Sequence, residues 1–298
     1  AVGIETTPET RLGPMRITDV RVLLRYPARL TLLEVCTDDG IVGLGSTASP
    51  PSMISAIIND PIDGLRQFVV GKDPTDPGAI WCQMTQQWPS QRGRADRSGL
   101  QGNAMGALDM ALWDIAGKAA GKPVHQLLGS ARVDRVMAYG SGSTMYYGSG
   151  KQDGRSKTGR QRNCKTAEVI ATECAKLRDH GFKAVKYGWG NNFGAEGMAM
   201  LDAARSALGP AIRLSVDFGC PAYFDPAWTP DNAIAAAKKL EEFDVYFFEE
   251  ALHPLDVDGF ARVTAATSIH VASGESLTTT EEFDQFIRHH ALDIVQPD

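Results

Sequence analysis

The chain has 298 residues, 43% of them hydrophobic and 22% charged, with a formal net charge of −6. That is long enough for one large barrel or two domains with an ample core. The acidic balance argues against nucleic acid or an anionic membrane surface as partner, and no apolar run is long enough to offer a transmembrane helix. Five scattered cysteines (Cys36, Cys82, Cys164, Cys174 and Cys220) lack metal-type spacing. Together with an N-terminus that has no charged-then-apolar secretory pattern, they predict a reduced, cytoplasmic setting.

Residues 1–14 read as a polar lead-in. From Met15 a strand pattern begins with Ile17, Val20 and Val22 and ends before Tyr26-Pro27. Leu30–Val35 and Ile41–Leu44 flank Asp38-Asp39-Gly40, a hairpin turn signal, so an antiparallel meander is expected. Met53–Asn59 and Ala79–Trp88 read as helices, and Pro89–Gly99, with Arg92, Arg94 and Arg97, as an exposed loop. From Asn103 to Ala120, apolar residues Met105, Leu108, Leu112, Ile115 and Ala119 recur at helical spacing, and Gly121 with Pro123 stops the helix. Residues 15–130 are therefore expected to form an α+β domain of their own.

From residue 131 the pattern changes to apolar runs alternating with helices. Lys165–Asp179 ends at Gly181, and Ala195–Ala207 ends at Gly209-Pro210. Thr229-Pro230 starts a helix through Leu240, and Thr279 with Glu282 forms a capping box for a helix through His290. Gly140–Asn163, rich in Gly, Ser, Lys and Arg, is too long for an ordinary connection and reads as an active-site loop or a disordered insertion. Strands are expected near 135–139, 182–186, 212–217, 245–249, 269–274 and 293–298.

These runs end on charges. Phe182–Val185 delivers Lys186, Ile212–Val216 delivers Asp217, and Val245–Phe248 delivers Glu249 and Glu250. Ile269–Gly274 delivers Glu275, and Ile294–Pro297 delivers Asp298. The steps from Lys186 are 31, 32, 26 and 23 residues, each with a helical stretch between. Polar residues at successive strand ends are how a parallel barrel presents groups at its C-terminal rim. Three converging carboxylates call for a cation, because bare like charges repel. Six strands do not close such a barrel, so a truncated chain is expected, with residues 131–298 holding six of eight strands.

In order and spacing, Thr37-Asp38-Asp39-Gly40, Ala107–Lys122, Leu127-Leu128-Gly129, Ala184-Val185-Lys186, Val216-Asp217, Phe248-Glu249-Glu250, Gly274-Glu275 and Gln296-Pro297-Asp298 resemble the enolase superfamily. The likeness is to its mandelate racemase / muconate lactonizing enzyme branch, most of all the acid-sugar dehydratases, and covers about residues 15–298. It implies an α/β fold: a modified (β/α) TIM-type barrel under an N-terminal α+β capping domain, in a homo-oligomer. It also implies a Mg²⁺ cofactor, which in that superfamily stabilises an enediolate beside a Lys or His base.

Carried over by position, Asp217, Glu249 and Glu275 look like the metal ligands, and an all-oxygen set suits Mg²⁺. Glu250 looks like an acid that orients its neighbours. Lys186 matches the first lysine of the family's Lys-x-Lys pair, but Gly188 stands where the second belongs, which removes one of the two bases a racemase needs. Asp298 resembles the aspartate that pairs with a histidine on the next strand, a residue beyond this chain. Gly219 replaces an asparagine common in relatives. Of the six histidines only His253 is a candidate to line the pocket, and Arg92 or Arg94 to read the substrate. His289 and His290 are expected in a helix, on the surface.

The expected reaction is Mg²⁺-dependent dehydration of a small-molecule sugar acid, an aldonate or aldarate, to a 2-keto-3-deoxy acid. A racemase or epimerase of a 2-hydroxy acid and a catalytically silent scaffold are the alternatives.

Overall fold

A computed structural model of the chain describes residues 14–25, 30–92, 99–129, 133–144, 165–189, 193–223 and 225–297, without the side chains of 24, 25 and 87–92. The chain divides into two compact units between Asp134 and Arg135.

The first unit opens with three antiparallel strands, β1 (Ile17–Arg25), β2 (Leu30–Thr37) and β3 (Val42–Thr47), in the order β1-β2-β3. The Thr37–Ile41 turn closes the second hairpin, with Gly40 at φ 78° where a side chain would be strained. Then come α1 (Pro51–Asn59), α2 (Arg66–Val69), α3 (Pro77–Arg92), α4 (Gly99–Ala120) and α5 (Val124–Leu127). The core joins Leu33 and Val35 of β2 to Ala104, Leu108, Leu112 and Ile115 of α4.

The small residues of α4 have a physical purpose. A Cβ at Gly43 or Gly45 would collide with the backbone carbonyls of Ala111 or Ala107, so strand and helix approach this closely only with glycine on the strand. Asp114 then accepts from the Leu44 N–H at 2.9 Å, and Lys118 Nζ donates to Val42 O at 2.7 Å. The helix thus takes up polar groups of β3, the edge strand.

The second unit is a six-stranded parallel sheet flanked by helices, in sequence order β4 (Gly140–Ser143), β5 (Ala184–Gly188), β6 (Arg213–Asp217), β7 (Val245–Glu249), β8 (His270–Ser273) and β9 (Ile294–Val295). The helices α6 (Ala167–Asp179), α7 (Ala195–Leu208), α8 (Pro230–Glu241), α9 (Val257–Ala266) and α10 (Thr280–Arg288) alternate with them. Both expected N-terminal caps form: the Thr229 and Thr279 hydroxyls accept from the N–H groups of Asn232 and Glu282. One apolar core runs from Ile170 on α6 to Phe286 on α10.

Arg205 of α7 ties the underside together. Its guanidinium donates to the carbonyls of Gly209, Ile212, Phe243 and Asp244, each at 2.9 Å.

Three expectations need correction. The first parallel strand is Gly140–Ser143, not 135–139, and Val136 is 85% exposed. The apolar letters misled because this strand is packed by its neighbours' bulk. A Cβ at Gly140 would press on Leu177 at 2.8 Å, and one at Gly142 on the Tyr187 ring at 2.7 Å, so glycine is what fits. The segment after Pro89 is not loop throughout, since α3 runs on to Arg92; α4 in turn begins four residues early, at Gly99. His289 and His290 lie past the end of α10, His290 at φ 51°. The rest of the proposed loop, 145–163, and residues 93–98, including Arg94, lie outside the described residues.

Candidate active site

Strand periodicity sets which side chains can meet. Phe218, just past β6, and Phe248 on β7 turn to the helix layer, their ring centroids 4.2 Å apart, with Phe193 and Trp228 packed beside Phe218. Their neighbours Asp217 and Glu249 must then face the other way. In the parallel register Asp217 stands directly opposite Glu249, and Gly188 opposite Asp217. Two carboxylates so placed repel.

Lys186, two residues before Gly188 on the same face of β5, answers that repulsion. Its Nζ donates to Asp217 Oδ2 at 3.0 Å and to both Glu249 oxygens at 2.8 Å. The three side chains are 13%, 19% and 3% exposed, so little water screens them. Burial disfavours the lysine charge, but the bonds to Glu249 and Asp217 outweigh it and hold the ammonium above its usual range. Glu249 is pushed up by burial and then by Asp217, with Lys186 pulling the other way.

The neighbouring acids complete a negative cluster. Glu250 is buried, sits at φ 54°, and accepts from the Ser273 hydroxyl at 2.5 Å. Burial raises its carboxyl. A left-handed conformation at a glutamate costs about 1–3 kcal/mol and persists only where its surroundings hold it. Here the Glu250 N–H donates to Ala272 O, and its carbonyl accepts from Cys220. Glu275, just past β8, is exposed as a residue, yet its carboxyl is raised by lost hydration and then by the charges of Glu250, Asp217 and Glu249.

The donor set suits a hard divalent cation: three carboxylates at the ends of successive strands, with Glu249 raised in part by the charge of Asp217 and Glu275 in part by the charges of Asp217 and Glu249. Among the described residues no three of them stand in ligating geometry, and the Lys186 ammonium bonds to both Asp217 and Glu249. The chemistry of the donors fits Mg²⁺.

Of the residues singled out from the sequence, Lys186, Asp217 and Glu249 meet directly, and Glu275 and Glu250 join them electrostatically. His253 stands apart. Its ring packs edge-on against Tyr223 at 5.3 Å, and its Nδ1 accepts from the Leu255 N–H at 3.2 Å. Arg92 lies at the end of α3 with its side chain outside the described residues, as is the whole of Asp298. Gly188 has room for a side chain, since a Cβ there would meet Ser143 Oγ at 3.6 Å, an ordinary contact. The missing second lysine is therefore not a packing requirement.

Gln296 is the residue that sequence reasoning passed over. Its Nε2 donates to Glu249 Oε2 at 3.1 Å, and its buried Oε1 has no partner among the described residues. The signal was available: Gln296 is two residues before Asp298, hence on the same face of an extended strand.

A parallel α/β sheet with charged groups at its C-terminal ends, joined to a three-stranded α+β unit, defines a class of two-part α/β proteins with an acidic site. The chain belongs to the enolase superfamily. Residues 5–129 match the mandelate racemase / muconate lactonizing enzyme N-terminal domain, and residues 169–298 the enolase C-terminal domain-like family.

Among curated proteins it is 31% identical over 277 residues to D-galactarolactone cycloisomerase of Agrobacterium fabrum, covering 92% of this chain and 65% of that one. It is 30% identical over 287 residues to L-talarate/galactarate dehydratase of Salmonella typhimurium, covering 95% and 65%. The chain thus spans less than two thirds of either relative. A solved member of the enolase superfamily from Salmonella Typhimurium superposes with a TM-score of 0.78 at 24% identity, over 95% of this chain and 73% of that one.

Proposed function

We propose that the protein is a Mg²⁺-dependent carbon–oxygen lyase that dehydrates a sugar acid to a 2-keto-3-deoxy acid. One observation carries the reading: a lysine ammonium bonded to two carboxylates that face each other across adjacent parallel strands, with a third acid at the next. Asp217, Glu249 and Glu275 would hold the metal, which when bound polarises the substrate carboxylate and acidifies the α-proton.

Lys186 acts by charge. Donating to two carboxylates as an ammonium, it has no lone pair to accept a proton, so it faces the negative charge that builds on the substrate carboxylate as the α-proton leaves. Gln296 and Ser273 hold Glu249 and Glu250 in place through hydrogen bonds. Asp298 keeps the role of orienting a histidine base. The α C–H bond breaks toward that base, the β C–O bond breaks as the protonated base gives that proton to the departing hydroxyl so that it leaves as water, and the enol tautomerises to the keto acid.

Gly188 supports dehydration over racemisation, since the second face of the substrate lacks the family's lysine. The dehydratase and cycloisomerase names of the relatives support the same substrate chemistry. The test is a panel of aldonic and aldaric acids incubated with Mg²⁺ and assayed for 2-keto acid. Exchange of the α-proton with solvent deuterium, with no keto acid formed, would overturn the reading in favour of an epimerase.

A further inference from the structure

Gln296 stands just past β9, yet its side chain serves a strand two places away. Its backbone is fixed against β8. The N–H donates to Ser273 O at 3.1 Å, and a Cβ on Gly274 would lie 3.1 Å from both the Gln296 N and O. From there the side-chain amide reaches past β8 to β7, where Nε2 donates to Glu249 Oε2 at 3.1 Å. Charge sets which way that amide faces. Turned over, it would hold its carbonyl oxygen against a carboxylate oxygen, two acceptors with no proton between them.

The bond makes the two oxygens of Glu249 unequal. Oε2 accepts from Lys186 at 2.8 Å and from Gln296 at 3.1 Å. Among the described residues Oε1 accepts from Lys186 alone, at 2.8 Å. A carboxylate oxygen has about two lone-pair sites, so the donors on Oε2 fill it and the donor on Oε1 does not. The two donors also differ in charge. An ammonium is repelled by an arriving divalent cation, and a neutral amide is not. Gln296 can therefore keep Oε2 while Lys186 gives way.

Mg²⁺ demands near-ideal octahedral geometry at short range, whereas Ca²⁺ readily takes both oxygens of one carboxylate into a looser shell. We infer that Gln296 is a positioning residue that withholds Glu249 Oε2 and leaves Oε1 for the metal, so that the site takes Mg²⁺ in preference to Ca²⁺. The inference rests on the reading of Asp217, Glu249 and Glu275 as metal ligands, and it adds what selects the ion.

The test is calorimetric titration of the metal-stripped full chain with MgCl₂ and with CaCl₂, which reads the ratio of the two affinities without any turnover. The wild-type protein is expected to bind Mg²⁺ the more tightly. Gln296→Met, of similar length but with no donor, should shift the ratio toward Ca²⁺ by about tenfold, the worth of one hydrogen bond to a charged group. Gln296→Asn, one methylene too short for the bond, should shift it the same way. Urea unfolding in EDTA identifies the variants that fold. A wild-type protein that binds both ions and prefers Ca²⁺ overturns the inference alone. So does a folded variant that keeps the wild-type ratio, including one that weakens both ions equally, since that makes Gln296 a support for the fold and no more. A wild-type protein that binds neither ion sinks the metal-site reading, and the role of Gln296 with it.

Discussion

Replacing Lys186 with methionine separates its two contributions. The side chain keeps its length but loses the charge that answers two facing carboxylates. The wild-type arrangement has contacts of 3.0 Å to Asp217 and 2.8 Å to each Glu249 oxygen, with Glu249 only 3% exposed. Removing one partner of a buried ion pair costs about 3–5 kcal/mol, because a desolvated charge is left uncompensated. With Asp217 partly open to solvent, about 3 kcal/mol is expected for the metal-free protein at pH 7.

The sign with pH follows from the unpaired acids. Glu249 is already raised, and without the ammonium it rises further, so its ionisation opposes folding. The deficit should therefore be largest at neutral pH and shrink as pH falls toward the ordinary glutamate value of about 4.3. Adding Mg²⁺ should restore part of the lost stability, since the cation supplies the missing positive charge. Turnover should fall by about 10²–10³, the cost of deleting one electrostatic donor to a developing anion. Urea unfolding in EDTA and in Mg²⁺, at several pH values, gives the first quantities, and a keto-acid assay the last. A variant with wild-type stability in EDTA, a wild-type pH profile and unchanged turnover would refute the electrostatic account of Lys186.

Asp217→Asn, Glu249→Gln and Glu275→Gln should each weaken Mg²⁺ binding by tenfold or more in calorimetry, a fold-change of about 1.4 kcal/mol. For Glu275→Gln the melting point in EDTA should stay or rise, because a repelled charge has gone; a fall with no change in Mg²⁺ affinity would make that acid structural. Gly45→Ala should destabilise by about 1–3 kcal/mol or more through overpacking against the Ala107 carbonyl; an unshifted melting point would contradict the close approach of β3 and α4. Glu241, held down from 4.5 to about 2 by the Ser268 N–H and then by Lys238 and Thr267, adds stability in full above 4.5 and loses it as pH falls toward 2. Glu241→Gln should flatten the melting temperature across that window, and an unchanged acid profile would rule the bond out as a contributor.

The sequence by itself determined the order of the elements. Periodicity and stop signals placed α4, while Thr229-Pro230 and the capping box of Thr279 with Glu282 marked helix starts, because these are interactions between residues close in sequence. It also placed the acids at strand ends, since a charge closing an apolar run marks where a strand of a parallel sheet gives way to its loop. Only tertiary structure decided the rest. Gly140–Ser143 is a strand because Leu177 and Tyr187 fill the space beside it, bulk that no local pattern carries. Lys186 is a counterion to both Asp217 and Glu249 because register sets those two face to face, and register is a relation between strands.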